Sequence, residues 1–185
     1  MEMTHATRIK EDLQLPAADR AALGQVDEVT GGSVNVALTL LHHPELARRY
    51  MNFGLSFIVD GVLPARDREL IILRTARTCR SPYEWAQHVR MGLAAGLTEE
   101  EIRRITSDNL GGWARQDAEL LAGVDTLLAT SRLTEQQWAG LSSRYGTKAA
   151  VEAVMLAGHY FMLAGLLNST DTQIEPGLEA PIPLG

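Results

Sequence analysis

Glu69-Leu70-Ile71-Ile72-Leu73-Arg74-Thr75-Ala76-Arg77-Thr78-Cys79-Arg80-Ser81-Pro82-Tyr83-Glu84-Trp85-Ala86-Gln87-His88 reads as two helices joined by a short turn. In the first half, Leu70, Ile72, Leu73 and Ala76 recur at helical spacing, so a helix opened by Pro64 runs to about Thr78 with that stripe facing a core. Ser81-Pro82 restarts the helix. Ser81 stands at the N-cap, Pro82 at the first helical position, where its missing N–H costs nothing, and Glu84 third, the spacing of a capping box. This second helix is expected to end near Gly96.

The same periodicity extends outward in both directions. Asn35 begins a short helix through Val36, Leu40 and Leu41, interrupted at His43-Pro44 because the residue before proline avoids the α region. Pro44 opens a helix to about Val59, stopped by Asp60-Gly61. Downstream, Thr98 with Glu101 caps a short helix bearing Ile102 and Ile105. Ala114–Ser131 is amphipathic, and Thr134 starts a helix closed at Tyr145-Gly146. Thr147 to about Asn168 is apolar nearly all round, which predicts burial in the core or at a subunit interface. The three prolines after Glu175 predict an extended tail over Pro176–Gly185, residues 1–15 an arm or short leading helix, and Gly31-Gly32-Ser33 a break capped by Ser33. No run alternates as a strand would. The expectation is one all-α domain over residues 1–185, a compact helical bundle.

At 185 residues the chain can bury a core without staples. A net charge of −6 leaves no basic surplus for phosphates, which argues against nucleic acid as a partner. Cys79 is the one cysteine, so the chain forms no internal disulfide. Residues 1–15 lack the apolar stretch of a signal peptide, and Ala153–Leu167 is too short and interrupted to span a bilayer. These features predict a cytoplasmic protein without a membrane partner.

Three polar residues stand out in the opening stretch. Glu69 shares the stripe of Ile72, Leu73 and Ala76; Glu84 and His88 lie four apart on one face of the next helix, continued by Met91 and Ala95. Carboxylates and an imidazole meeting away from water acquire shifted pKa values and can exchange protons near neutrality. The structural alternative is that Glu84 completes the Ser81 box while Glu69 pairs with Arg66 or Arg68. A metal on Glu69, Glu84 and His88 would lack an evident fourth ligand. His42-His43 cannot easily share an ion, because adjacent helical residues point about 100° apart. His159 lies inside the apolar final helix, where a histidine can be simply a satisfied core residue.

The quoted stretch resembles the core motif of the carboxymuconolactone decarboxylase and AhpD-like superfamily. In the peroxidase branch of that family, a glutamate precedes Cys-x-x-Cys-x-x-x-His by twelve residues; Ser81 and Glu84 occupy the two cysteine positions here. Tyr83-Glu84-Trp85-x-x-His88 resembles the decarboxylase-type branch lacking the cysteine pair. Leu40–Leu46 is similar to the family's upstream helix and Gly158–Asn168 to its terminal helix, so the likeness spans about residues 35–170. Disulfide exchange needs two thiols, which Ser81 and Glu84 do not supply, and Cys79 reads as a packing residue.

The resemblance implies a cofactor-independent lyase that decarboxylates a small lactone or keto acid, with His88, Glu84 and Glu69 as catalytic relay and Tyr83, Ser81 and His159 contacting the small-molecule substrate. On this reading His88 shuttles the proton, Glu84 orients it or shares its proton, and Glu69 completes the relay. An isomerase, hydratase or cyclase could use the same relay, and a non-catalytic helical binding module would keep the fold alone. The resemblance also implies a homo-oligomer, a dimer, trimer or hexamer, with the final helix at the interface.

Overall fold

The computed structural model describes Arg8, Ile9 and residues 35–185. Among these residues there are seven helices and no strand: α1 (Asn35–Leu40), α2 (Pro44–Val59), α3 (Ala65–Thr78), α4 (Pro82–Ala94), α5 (Glu99–Ile105), α6 (Arg115–Thr130) and α7 (Glu135–Thr170). The expected arm over residues 1–15 and the cap at Ser33 lie outside the described residues, save Arg8 and Ile9.

Local chemistry sets most boundaries. Thr98 with Glu101, and Thr134 with Gln137, form reciprocal capping boxes at the starts of α5 and α7. Gly146 breaks α7 at φ 79°, a left-handed conformation that glycine adopts without the steric cost of a Cβ. The break falls where Tyr145-Gly146 predicted a helix end, and the chain resumes as helix at once.

The core is built around α3. Leu70, Ile71, Ile72, Leu73 and Ala76 are all buried, and so are Glu69, Arg74 and Thr75. The single-stripe reading of this helix is therefore too narrow: α4, α5, α6 and α7 pack round it. A helix enclosed on every side must have each polar group met internally. Thr75 returns its hydroxyl to the Ile71 carbonyl at 2.8 Å. Arg74 makes a two-pronged pair with Asp125 at 2.7 and 2.6 Å and donates through Nη1 to the carbonyls of Ile105 and Ser107.

The ends of the chain close onto this core. Glu152 of α7 accepts from the backbone N–H groups of Val62 and Leu63, fixing the α2–α3 turn. The tail lacks helix, as expected, yet it is anchored: Ile182 is buried and its carbonyl accepts from Trp85 Nε1 at 2.7 Å. Glu175 accepts from Tyr83 Oη, Gln87 Nε2 and the Asn35 backbone N–H, joining the tail to α4 and α1.

Within this chain α7 is buried on one side only, so the core accounts for part of the burial expected of it. Leu156, Ala157, Tyr160, Leu163 and Leu167 face inward, whereas Val151, Met155, Phe161 and Met162 are exposed. By length and hydropathy it is the one helix among the described residues that could cross a membrane, but half of its apolar window is buried in this chain.

Asp125→Ala is expected to lower unfolding free energy by about 3 kcal/mol, because it strands the guanidinium of Arg74 in the core. Urea unfolding followed by circular dichroism measures this.

Candidate active site

Glu69 on α3 and His88 on α4 meet inside the bundle. His88 Nδ1 donates to Glu69 Oε2 at 2.8 Å, with both side chains buried. The other oxygen, Oε1, accepts from Arg68 Nε at 3.2 Å. A carboxylate can only accept, so the proton on this bond belongs to Nδ1, and Nε2 becomes the nitrogen free to exchange protons. Of the two structural alternatives for Glu69, the Arg68 pair forms alongside the His88 bond, while Arg66 turns to Glu101 and Asp117.

Glu84 is placed differently from the capping-box expectation. Ser81 is the N-cap residue of α4, but its side chain makes no capping bond, and the Ser81 hydroxyl and both Glu84 oxygens are enclosed without a hydrogen-bond partner. Proline at N1 and the tight approach from α3 set the helix start without the box. Burial raises the Glu84 carboxyl from 4.5 to about 8, with the Ser81 hydroxyl opposing the shift. Near neutral pH it is an acid holding its proton. Glu69, rather than Glu84, is the carboxylate bonded to His88.

Aromatic rings connect this group to α7 and α2. Tyr160 stands edge-on to His88 at 4.8 Å and to His159 at 5.2 Å. Tyr50 stacks on His159 at 4.8 Å, with its hydroxyl 3.3 Å from Nε2. Gly54, one turn beyond Tyr50, makes room: a Cβ there would lie 3.0 Å from His159 Nε2. His159 is thus inside the cluster, with its Nδ1 enclosed and unpartnered. Burial, with the charge of His88 adding to it, lowers His159 to about 4, so it is a neutral imidazole at neutral pH. Burial and the charge of Glu84 raise the Tyr50 phenol, which stays protonated.

Glu69, His88, Glu84 and His159 therefore belong to one neighbourhood, with Ser81 beside Glu84. The Tyr83 hydroxyl is turned away, bonded to Glu175 at 2.7 Å and accepting from the Val36 N–H. Tyr50, Gly54 and Tyr160 were not singled out as site residues by sequence, and Arg68 only as a possible partner of Glu69. The i,i+4 spacing of Tyr50 and Gly54 on α2 was the available signal, but it means nothing until α7 lies across it. Cys79 is half-buried and its thiol is pushed up to about 11, by burial first and by Glu84 second, which suppresses thiolate chemistry. His42 and His43 lie on the exposed turn between α1 and α2. Among the described residues, no three His, Cys, Asp or Glu side chains are arranged to hold a metal ion.

A cavity of about 600 Å³ opens elsewhere, between α6 and α7, lined in part by Leu120, Leu127, Leu141 and Arg144. Its walls hold no enclosed, unpartnered acid or base, whereas the Glu84 cluster holds two, Glu84 and His159. Chemistry, rather than volume, selects the cluster.

Glu84 should show itself in stability. Below 4.5 both folded and unfolded states hold its proton; between 4.5 and about 8 only the folded state does, so stability falls as pH rises through that window. Glu84→Gln removes this loss and is expected to gain about 3 kcal/mol at pH 7 relative to its effect at about pH 4. Chemical unfolding at the two pH values measures it.

Comparison with known proteins bears on the family and the fold. Residues 44–122, which include Glu69, Glu84 and His88, match the Carboxymuconolactone decarboxylase family. No curated protein matches the sequence. Among solved structures, a peroxidase-related protein from Ralstonia eutropha JMP134, described as an alkylhydroperoxidase AhpD core, superposes with a TM-score of 0.81 at 17% identity, covering 95% of this chain and 96% of that one. The debrominase Bmp8, as a variant in complex with 2,3,4-tribromopyrrole, gives a TM-score of 0.73 at 15% identity over 94% of this chain and 96% of that one. At these identities the structural likeness speaks for the fold. The match to the Carboxymuconolactone decarboxylase family lies on the helices that carry the buried acid–imidazole pair, and around them the chain shares the fold of an alkylhydroperoxidase AhpD core.

Proposed function

We propose that this protein is a cofactor-independent lyase that decarboxylates a small lactone or keto acid, using Glu69, Glu84 and His88 to move protons. One observation carries the reading: the enclosed Glu69–His88 hydrogen bond lies in the same cluster as an unpartnered carboxyl, Glu84, that keeps its proton to about pH 8. In such a reaction the bond between the substrate carbon and its carboxylate breaks, carbon dioxide leaves, and the electron pair moves onto the adjacent carbonyl as an enolate. Protonation of that carbon then completes the turnover. A neutral Glu84 is suited to give the proton, and His88, held by Glu69 with Nε2 free, to return one to it from solvent. Glu69 positions the imidazole. Neutral His159 can donate a hydrogen bond to a developing enolate oxygen without adding charge to the ground state. Exclusion of water from this buried cluster also favours loss of the carboxylate charge.

Thiol peroxidase chemistry is not supported, since Ser81 and Glu84 stand where the two thiols would be and the lone Cys79 thiol is raised. Location in the cytoplasm belongs to the same proposal, and a single cysteine, which cannot form an internal disulfide, fits a reducing compartment.

We also propose a homo-oligomer with α7 in its interface. Val151, Met155, Gly158, Met162 and Gly165 are exposed and spaced 4, 3, 4 and 3 residues apart, one stripe along the helix. A Cβ at Gly158 or Gly165 would meet nothing within 4 Å among the described residues, so a second helix could approach the backbone closely there.

A screen of lactone acids and keto acids for carbon dioxide release tests the reaction. Release is expected, falling about 100-fold or more in His88→Ala as a lost acid–base group does, and declining as pH rises through about 8 as Glu84 ionises. Activity should survive chelation and dialysis. Turnover without carbon dioxide would instead indicate an isomerase, hydratase or cyclase; no turnover of any acid, with an unperturbed fold, would favour a binding module. For assembly, light scattering coupled to size exclusion should give a mass above the 20.2 kDa monomer, and Met155→Glu should restore the monomer.

A further inference from the structure

Two largely buried arginines on α3 are treated differently by the fold. Arg74 is fully met: Nε, Nη1 and Nη2 share Asp125 and two backbone carbonyls. Arg68 spends only Nε, on Glu69 Oε1 at 3.2 Å. Its side chain is 14% exposed, and its Nη1 and Nη2 take no partner among the described residues. Neither terminal nitrogen is among the wholly enclosed unpartnered atoms, so this edge can be reached from outside.

A guanidinium recognises carboxylates through paired parallel N–H groups, with strength and direction that a lone point charge lacks. Glu69 fixes the orientation of this one by gripping Nε, and the same carboxylate holds His88 through its other oxygen. The free edge of Arg68 is thereby tied rigidly to the imidazole. Tyr160, edge-on to His88, feels the charges of Glu69, Glu84 and Arg68 together, which places the guanidinium in the same neighbourhood as both acids.

We propose that the terminal edge of Arg68 is the recognition point for a carboxylate on the substrate, making the ligand class a small oxo-acid or lactone acid anion that enters beside the Glu69–His88 pair. This rests on the reading of that pair as the reactive centre. Without such a cation, an anionic substrate would approach the ionised Glu69 carboxylate and be repelled. Arg68 would be a specificity residue, distinct from the proton-transfer groups.

The test uses levulinate, a simple oxo-acid, and its neutral methyl ester, titrated into full-length protein while the His88 ring resonances are followed by NMR. Levulinate should shift them and the ester should not. Arg68→Gln should weaken levulinate binding about ten-fold or more, the loss of a charge-assisted pair, while Arg68→Lys, which keeps the charge, should retain part of it. The inference is overturned by levulinate leaving wild-type His88 unmoved, by the ester binding as well as the acid, or by Arg68→Gln binding as wild type. Turnover is scored separately. Levulinate binding through Arg68 with no carbon dioxide from any acid keeps this inference and rejects the decarboxylase reading. Carbon dioxide release that persists in Arg68→Gln with unchanged KM does the reverse.

Discussion

A helix enclosed on all sides imposes the central constraint on this molecule. α3 carries Glu69, Arg74 and Thr75 into the interior along with its apolar residues, and burying a charge without a partner costs several kcal/mol. Each therefore dictates something about its surroundings. Arg74 requires Asp125 on α6 and two carbonyls at the end of α5, which fixes how those helices sit against α3. Glu69 requires a donor in the interior, and His88 on α4 supplies it at 2.8 Å. Packing of the core and construction of the site are, for α3, the same problem.

Glu84 is the exception that gives the site its character. It is buried as deeply as its neighbours, yet no charged side chain pairs with it, and the adjacent Ser81 hydroxyl only partly opposes the effect of burial. A carboxyl in this position escapes the cost of desolvation by keeping its proton, so the protein loses stability at neutral pH and gains an acid. Structural carboxylates elsewhere in the chain are handled otherwise. Asp67 accepts from Arg144 and Tyr145, and Glu175 accepts from three donors. The contrast separates a group that holds the fold together from one available for chemistry.

The family match and the fold leave the chemistry open in one specific respect. The structural relatives include a peroxidase-related protein and a debrominase, whereas this chain has Ser81 and Glu84 in place of a cysteine pair and a single thiol with raised pKa. In this chain a short turn from α3 brings the first residues of α4 beside the buried face of another helix. Function on such a scaffold resides in the side chains presented there rather than in the fold.

Local sequence determined the helices and most of their ends, because capping boxes, prolines at first helical positions and Gly146 act over a few residues and need no partner from elsewhere. It also determined that Glu69, Glu84 and His88 would be turned inward, since helical spacing ties each to an apolar stripe. What it could not decide was which acid would hold the imidazole. Spacing puts Glu84 one turn from His88 on the same helix, and yet Glu69 takes the bond, because the rotation of α4 against α3 is fixed by packing across the bundle. The capping box at Ser81 failed for the same reason: burial keeps Glu84 protonated inside rather than reaching back to its own helix start. Tyr50 and Gly54 were silent in sequence, as their roles arise from α2 and α7 crossing, while Arg68 was legible only as one of two possible partners of Glu69. The exposed stripe of α7 was likewise undecided, since periodicity measures how apolar a helix is, while only the arrangement of its neighbours decides which sides they cover.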